Sequence, residues 1–188
     1  MRFKWVLLAL VVVVIGGAVA LVLVERPELD DARTAVDHAW KPLTTPADAP
    51  DLLVARYQKL EGALTAFDAN GGQDRSVSRD LHAALKAWNA ALKDGSTTDQ
   101  VKAANTVEAQ GARLWANVTG SARFAEQAAV KDALAAWAGT KPPQALITKF
   151  NAKSREYEDT RNTFLARPVA LALSYQAIPT FQLGDLGF

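Results

Sequence analysis

From Trp5 to Val24 the chain runs for 20 residues without one charged or strongly polar side chain. A helix rises ~1.5 Å per residue, so a run of this length covers ~30 Å, the thickness of a bilayer's hydrocarbon layer. Ala18-Val19-Ala20 has the small-x-small form that signal peptidase accepts, which offers a cleaved signal peptide as the competing reading. The apolar character continues through Leu21-Val22-Leu23-Val24, however, where a cleavage region normally turns polar. Residues 5–24 are therefore expected to be a transmembrane helix, an uncleaved signal anchor held in the lipid bilayer, with Trp5 at its interfacial edge. Residues 1–4 form a short basic N-terminus through Arg2 and Lys4, nearly matched by Arg26 and Arg33 beyond the run. The basic n-region favours a cytoplasmic N-terminus, which places the bulk of the chain outside the cytoplasm: a single-pass protein of the cell (inner) membrane, its domain in the periplasm if the cell has two membranes.

Beyond the anchor, residues 25–188 have a length suited to one domain with a real core. The chain has no cysteine, which excludes a disulfide framework, a cysteine zinc site, an iron–sulfur cluster and c-type haem attachment. Setting aside Arg2 and Lys4 leaves 19 of the 21 basic residues against 20 acidic ones in this domain, a net of −1. A nucleic-acid binder needs a basic face, so no nucleic-acid partner is expected.

Alanine supplies 33 of those residues and no alternating period-2 run appears, which argues for helix over sheet. No proline lies between positions 51 and 141, so helix is permitted throughout the middle. Leu53, Tyr57, Leu60, Leu64 and Phe67 recur at spacings of four and three and make one apolar seam, expected to stop at Asn70-Gly71-Gly72. A second helix follows Asp74 or Ser76, shows Leu81, Leu85, Trp88 and Leu92, and ends at Asp94-Gly95. A third starts after Thr97 or Thr98, either able to cap it, with Val107, Gly111, Leu114 and Val118 as its seam. Gly120-Ser121 should kink or end it, after which Phe124, Val130, Leu134 and Trp137 continue a helical face to Gly139. Lys141-Pro142-Pro143 is a break, and a last long helix is expected from about Gln144 to Ala166, displaying Phe150, Tyr157 and Phe164 every seven residues. A short helix, Glu28 to Trp40, should continue from the anchor until Pro42 to Pro50 interrupt it. Trp40, Trp88, Trp115 and Trp137 fall in different segments and are expected in the core. The expected fold is all-α: a transmembrane helix followed by an antiparallel bundle of about four long helices.

A search for chemistry finds little. His38 and His82, the two histidines, stand 44 positions apart, and no Glu-x-x-His or His-Glu-x-x-His occurs, so no metal site is expected. No Gly-x-Ser-x-Gly, Ser-x-x-Lys or phosphate-binding Gly-Lys-Ser/Thr is present. Glu156, Glu158 and Asp159 alternate with Arg155 and Arg161, the pattern of a solvated helix face with weak ion pairs. Catalytic, cofactor-binding and metal residues are accordingly expected to be none. The tail 166–188 is apolar, with no basic residue after Arg167 and one acid, Asp185. Residues 169–181 are expected to fold back on the bundle and the last few to touch something else; insertion of the tail, residues 169–188, at the bilayer surface is the other reading.

Two stretches resemble the LemA family of bacterial proteins. Ala35-Val36-Asp37-His38-Ala39-Trp40 is similar to the family's small-Val-x-x-Ala-Trp, and Asp51-Leu52-Leu53-Val54 to its Asp-Leu-Ile-x-x-Leu-Val. Phe150-Asn151, then Tyr157-Glu158, then Phe164 resembles the family's Tyr-Asn, Tyr-Asn, Phe-Pro at the same seven-residue intervals, and Tyr175 through Pro179-Thr180-Phe181 resembles its aromatic, proline and phenylalanine ending. The likeness covers residues 31–67 and 147–181. The family's Arg-Arg pair before Asp-Leu-Ile is replaced by Thr44 to Pro50, and Leu165 stands where a proline would follow Phe164, so the last helix should run slightly longer and the chain is similar to a divergent member. The resemblance implies a membrane helix, an extended helical bundle and an adaptor or accessory role at the envelope; it brings no catalytic residues, and the family has also been drawn with its N-terminus outside.

The functional expectation is a membrane-anchored helical adaptor acting through contact with another membrane or envelope protein, and not an enzyme. The alternative is an extracytoplasmic hydrolase with a site too dispersed to see in sequence.

Overall fold

The computed structural model describes residues 2–44, 52–184 and 186, with side chains at 16, 17 and from 19 onward. Among the described residues the regular structure is helical, without a strand. α1 (Arg2–Thr44), α2 (Leu53–Phe67), α3 (Ser76–Asp94), α4 (Thr97–Thr119), α5 (Ala122–Ala125), α6 (Ala128–Gly139), α7 (Gln144–Arg161) and α8 (Ala166–Ala172) follow in chain order. α3 packs along α4, α1 along α7, and α2 along α6.

The α2 seam is buried as its spacing requires: Leu53, Tyr57, Leu60, Leu64 and Phe67 all lie in the core. The helix then passes into a five-residue π turn, Asp68–Gly72, in which Gly71 takes φ 87°, a left-handed conformation that glycine adopts without the Cβ clash. α3 ends at Asp94, and α4 is capped by Ser96 rather than by Thr97 or Thr98. The Ser96 hydroxyl accepts from the Asp99 N–H while the Asp99 carboxylate accepts from the Ser96 N–H, a reciprocal capping box. The Ser96 hydroxyl donating to the carboxylate at 2.6 Å, and after it the Ser96 N–H, hold the Asp99 carboxyl below its usual range. Val107, Gly111, Leu114 and Val118 are buried, and α4 stops at Gly120 before the short α5 places Phe124 against Phe67, ring centroids 4.6 Å apart.

One contiguous core takes side chains from α1 through α7 and from the C-terminal segment. Trp40, Trp88 and Trp137 are buried there; Trp115 is only partly so. Trp40 meets Phe150 at 4.8 Å and Phe181 at 5.7 Å between centroids, and its indole N–H donates to Gln100 Oε1 at 2.8 Å. This one side chain therefore joins α1, α4, α7 and the tail.

Three expectations are corrected. The helix continues from the apolar run as expected, but Pro42 does not interrupt it: α1 is unbroken from Arg2 to Thr44, with Pro27 and Pro42 inside it. The last long helix does not reach Ala166. α7 ends at Arg161, the chain turns through residues 162–165, and Thr163 Oγ1 accepts from the Ala166 N–H as α8 begins. Phe164 consequently leaves the seam of Phe150 and Tyr157 and is 92% exposed. The fold-back of the tail also extends past residue 181, because Leu183 and Leu186 pack against the core; Asp185, Gly187 and Phe188 lie outside the described residues, as do Thr45 to Asp51. The expected membrane span, 5–24, falls inside α1, but its side chains at 5–15 and 18 lie outside those described. Among the described residues no helix is long and apolar enough to cross a membrane.

Gly111 is a packing requirement. A Cβ there would sit 2.7 Å from the Trp137 ring and 3.1 Å from Leu60. Gly62, by contrast, has nothing within 4 Å on the exposed side of α2. Gly111→Leu is expected to lose about 2–3 kcal/mol through overpacking, whereas Gly62→Ala should gain about 0.5–1 kcal/mol from helix propensity; urea denaturation of the two variants measures both.

Candidate functional site

Arg56 occupies a core-facing position on α2, between Leu53 and Leu60, where an apolar residue would be expected. It and Glu108 of α4 are each 1% exposed. Their contact is bidentate: Nε reaches Oε1 at 2.7 Å and Nη2 reaches Oε2 at 2.8 Å. The third nitrogen, Nη1, donates to the carbonyls of Trp137 at 2.9 Å and Thr140 at 2.6 Å, so the guanidinium also closes the C-terminal end of α6, where a positive charge suits the helix dipole. It lies over the Trp137 ring, 4.6 Å from the centroid. Beside it, burial first and the Glu108 charge second hold the Tyr57 phenol well above its usual range, so its hydroxyl remains a donor to the Ala104 carbonyl at 3.2 Å.

Glu108 has a further partner, the Gly184 N–H at 3.0 Å, which brings in the C-terminal segment. After α8 the chain reverses at Ser174 (φ 59°) with the Tyr175 N–H bonded to the Ala170 carbonyl, then runs without regular structure. A backbone laid across helices has no ladder to pair with, so its polar groups must be met by side chains. That is what α4 and α7 provide. Tyr157 Oη donates to the Gln176 carbonyl at 2.9 Å and Ser154 Oγ to the Ile178 carbonyl at 2.6 Å, while Glu158 Oε1 accepts from the Ile178 N–H at 2.9 Å. Asn151 takes both groups of Phe181, donating to its carbonyl at 2.9 Å and accepting from its N–H at 2.8 Å. Asn105 does the same one residue to either side, donating to Thr180 O at 2.8 Å and accepting from Gln182 N at 3.0 Å. An amide carries a donor and an acceptor on one planar head, which fits it to grip a peptide chain in this way. Ile178 and Phe181, three residues apart, fill the core below.

The segment is thus held as a strap whose backbone is recognised and whose side chains supply two apolar anchors. Beside it opens a groove of about 830 Å³ lined by Lys102, Ser154, Arg155, Asp159, Arg161 and residues 175–180. The Ser154 proton and one Glu158 oxygen are already engaged with the strap, and the other Glu158 oxygen takes Arg161 at 2.9 Å.

The residues singled out in sequence fall elsewhere. His38 is exposed on α1. His82 Nε2 lies 2.8 Å from Asp68 Oδ2, and Ser78 Oγ donates to Asp68 Oδ1 at 2.6 Å. Serine and histidine here share the carboxylate instead of bonding to one another, unlike a nucleophilic triad, and tie α3 to the π turn. Glu156 pairs with Lys153 on the α7 surface, but Glu158 departs from the expected solvated face by turning into the strap. Among the described residues no group of three or more His, Asp or Glu is placed to hold a metal ion. Arg56, Glu108, Asn105, Asn151 and Ser154 were not anticipated. The available signal was a polar side chain on or next to an apolar seam: Arg56 within that of α2, Glu108 beside Val107, Asn105 beside Ala104, and Asn151 beside Phe150.

Removing one member of a buried pair strands the other. Glu108→Gln is expected to cost about 3–5 kcal/mol in urea denaturation, and the double replacement Arg56→Met with Glu108→Leu should recover most of that loss. Asn151→Ala removes two hydrogen bonds from Phe181, for which about 1–3 kcal/mol is expected. Hydrogen exchange should then show the Phe181 amide losing protection while amides in α2 and α4 keep theirs.

No family model, no curated protein and no solved structure matches the chain.

Proposed function

We propose that this protein is a membrane-anchored helical adaptor of the bacterial cell envelope, a divergent LemA-like chain that works by contact with another membrane or envelope protein. In this reading residues 5–24 cross the bilayer once, and the bulk of the chain stands outside the cytoplasm. The observation that carries it is the continuity of α1. The apolar run and the core positions Val36, Ala39, Trp40 and Leu43 belong to one uninterrupted helix, so whatever the run is embedded in is joined to the body without a flexible linker. Leu21 and Val22 pack with Leu29 against α8, so the C-terminal end of the run is part of the folded body.

The polar side chains that a hydrolytic site would need are, around the strap, spent on holding the chain's own backbone, and this favours a contact role over the hydrolase alternative.

After carbonate extraction the full chain is expected to remain in the membrane pellet, with its N-terminal residues intact. Because the chain has no cysteine, Asp94→Cys gives a single label site, which an impermeant maleimide should modify in intact cells. A mature N-terminus at Leu21, or turnover of a substrate by the purified protein, would overturn the proposal.

A further inference from the structure

α8 is buried on one side only. Ala166, Val169 and Ala170 lie against Leu29 of α1, flanked by Leu21, Val22 and Tyr175, whose hydroxyl bonds Asp30. The opposite side is apolar and open. Pro168 and Leu171, three apart on α8, are exposed on its outward side, Leu171 by 69%, and the turn that leads into the helix exposes Phe164 by 92% and Leu165 by 51%. Exposed apolar residues scattered singly need no explanation, but here they are grouped, and they sit beside the apolar run itself. Leu21 shares an open cavity of about 690 Å³ with Asn162, Phe164, Leu165, Arg167 and Pro168, and the neighbouring Val19, Leu23 and Val24 of α1 are exposed as well.

From these placements we infer that residues 164–171 form a lipid-seated shoulder: a short amphipathic element whose outer face, Phe164, Leu165, Pro168 and Leu171, dips into the interfacial layer of the bilayer from which α1 emerges. The inference rests on the reading of residues 5–24 as a membrane anchor. Depth supports it. Leu21 lies three residues inside the end of the run at Val24, or ~4.5 Å along the helix axis at ~1.5 Å per residue, so the side chains level with it come close to the shallow end of the ~5–10 Å typical of interfacial helices. Charge is compatible. Arg167 is exposed on the same turn and can meet lipid phosphate, and no acidic residue occurs between Asp159 and Asp185. A bilayer is preferred over a protein partner because the open face continues the exposed apolar surface of the anchor at the same level, and in a membrane that surface is already covered by lipid.

The test uses the full chain in vesicles of mixed zwitterionic and anionic phospholipid. Single replacements Phe164→Cys, Leu171→Cys, Val19→Cys and Asp94→Cys each carry one environment-sensitive fluorophore, read against a lipid-borne nitroxide quencher and against aqueous iodide. Labels at 164 and 171 should be quenched by the lipid nitroxide several-fold more than the label at 94, approaching the label at 19. If 164 and 171 behave like 94 while 19 is quenched from the lipid, the shoulder is wrong and the anchor stands. If 19 also answers to iodide alone, the anchor reading falls and this inference with it. Shielding of 164 and 171 from both quenchers would mean that protein covers the face, which equally overturns the proposal.

Discussion

The buried ion pair of Arg56 and Glu108 is the constraint around which the rest of this structure is arranged. A guanidinium with five donors and a carboxylate with two oxygens cannot be left partly satisfied away from water, so each surrounding element is positioned to meet them. α6 ends where its last carbonyls reach Nη1, α4 brings both carboxylate oxygens to the fork, and the C-terminal segment adds the Gly184 N–H to one of them. A pair of this kind contributes little net stability over an apolar equivalent, but it penalises any arrangement that separates its partners. It therefore specifies which helices are neighbours.

The same accounting explains the tail. An irregular stretch of chain laid over helices carries the polar groups of every peptide unit, and here α4 and α7 answer them with amides, a hydroxyl, a phenol and a carboxylate. Because these contacts read the backbone, they constrain its path more than its sequence; Ile178 and Phe181 supply the register. The strap and the ion pair meet at Glu108, so the end of the chain and the centre of the bundle share one carboxylate.

The helical architecture was legible because its causes are local. Four-three spacings of Leu, Val, Tyr, Trp and Phe locate α2, α3 and α4, and the turn at Gly71 follows from its backbone requirement. Where tertiary contacts decide, the sequence misleads. Phe164 keeps the heptad interval after Tyr157, yet α7 has already ended, and Ala166, Val169 and Ala170 turn onto Leu29 and are buried there. Pro42 falls within α1 although it forgoes a backbone bond, since Leu43 beyond it is fully buried. The strap was legible as apolar composition and as a resemblance that marked Asn151, Tyr157, Glu158 and Tyr175 to Phe181 without saying what they do; Asn105 and Ser154 look like ordinary helix-surface residues until the chain returning from α8 is laid against them.

The unbroken α1 sets an angular phase. At ~100° of rotation per residue, the compass bearing of the whole body about the rod is fixed by the number of residues between the apolar run and Trp40, which the Gln100, Phe150 and Phe181 contacts clamp against swivelling. Adding or deleting one residue in that interval would turn every face of the body by more than a quarter of a circle while moving it along the axis by only ~1.5 Å. Which side of the body faces a given direction is thus written in a count, so a change of length between the apolar run and Trp40 would reorient the whole body where a change of residue type acts only on its own contacts.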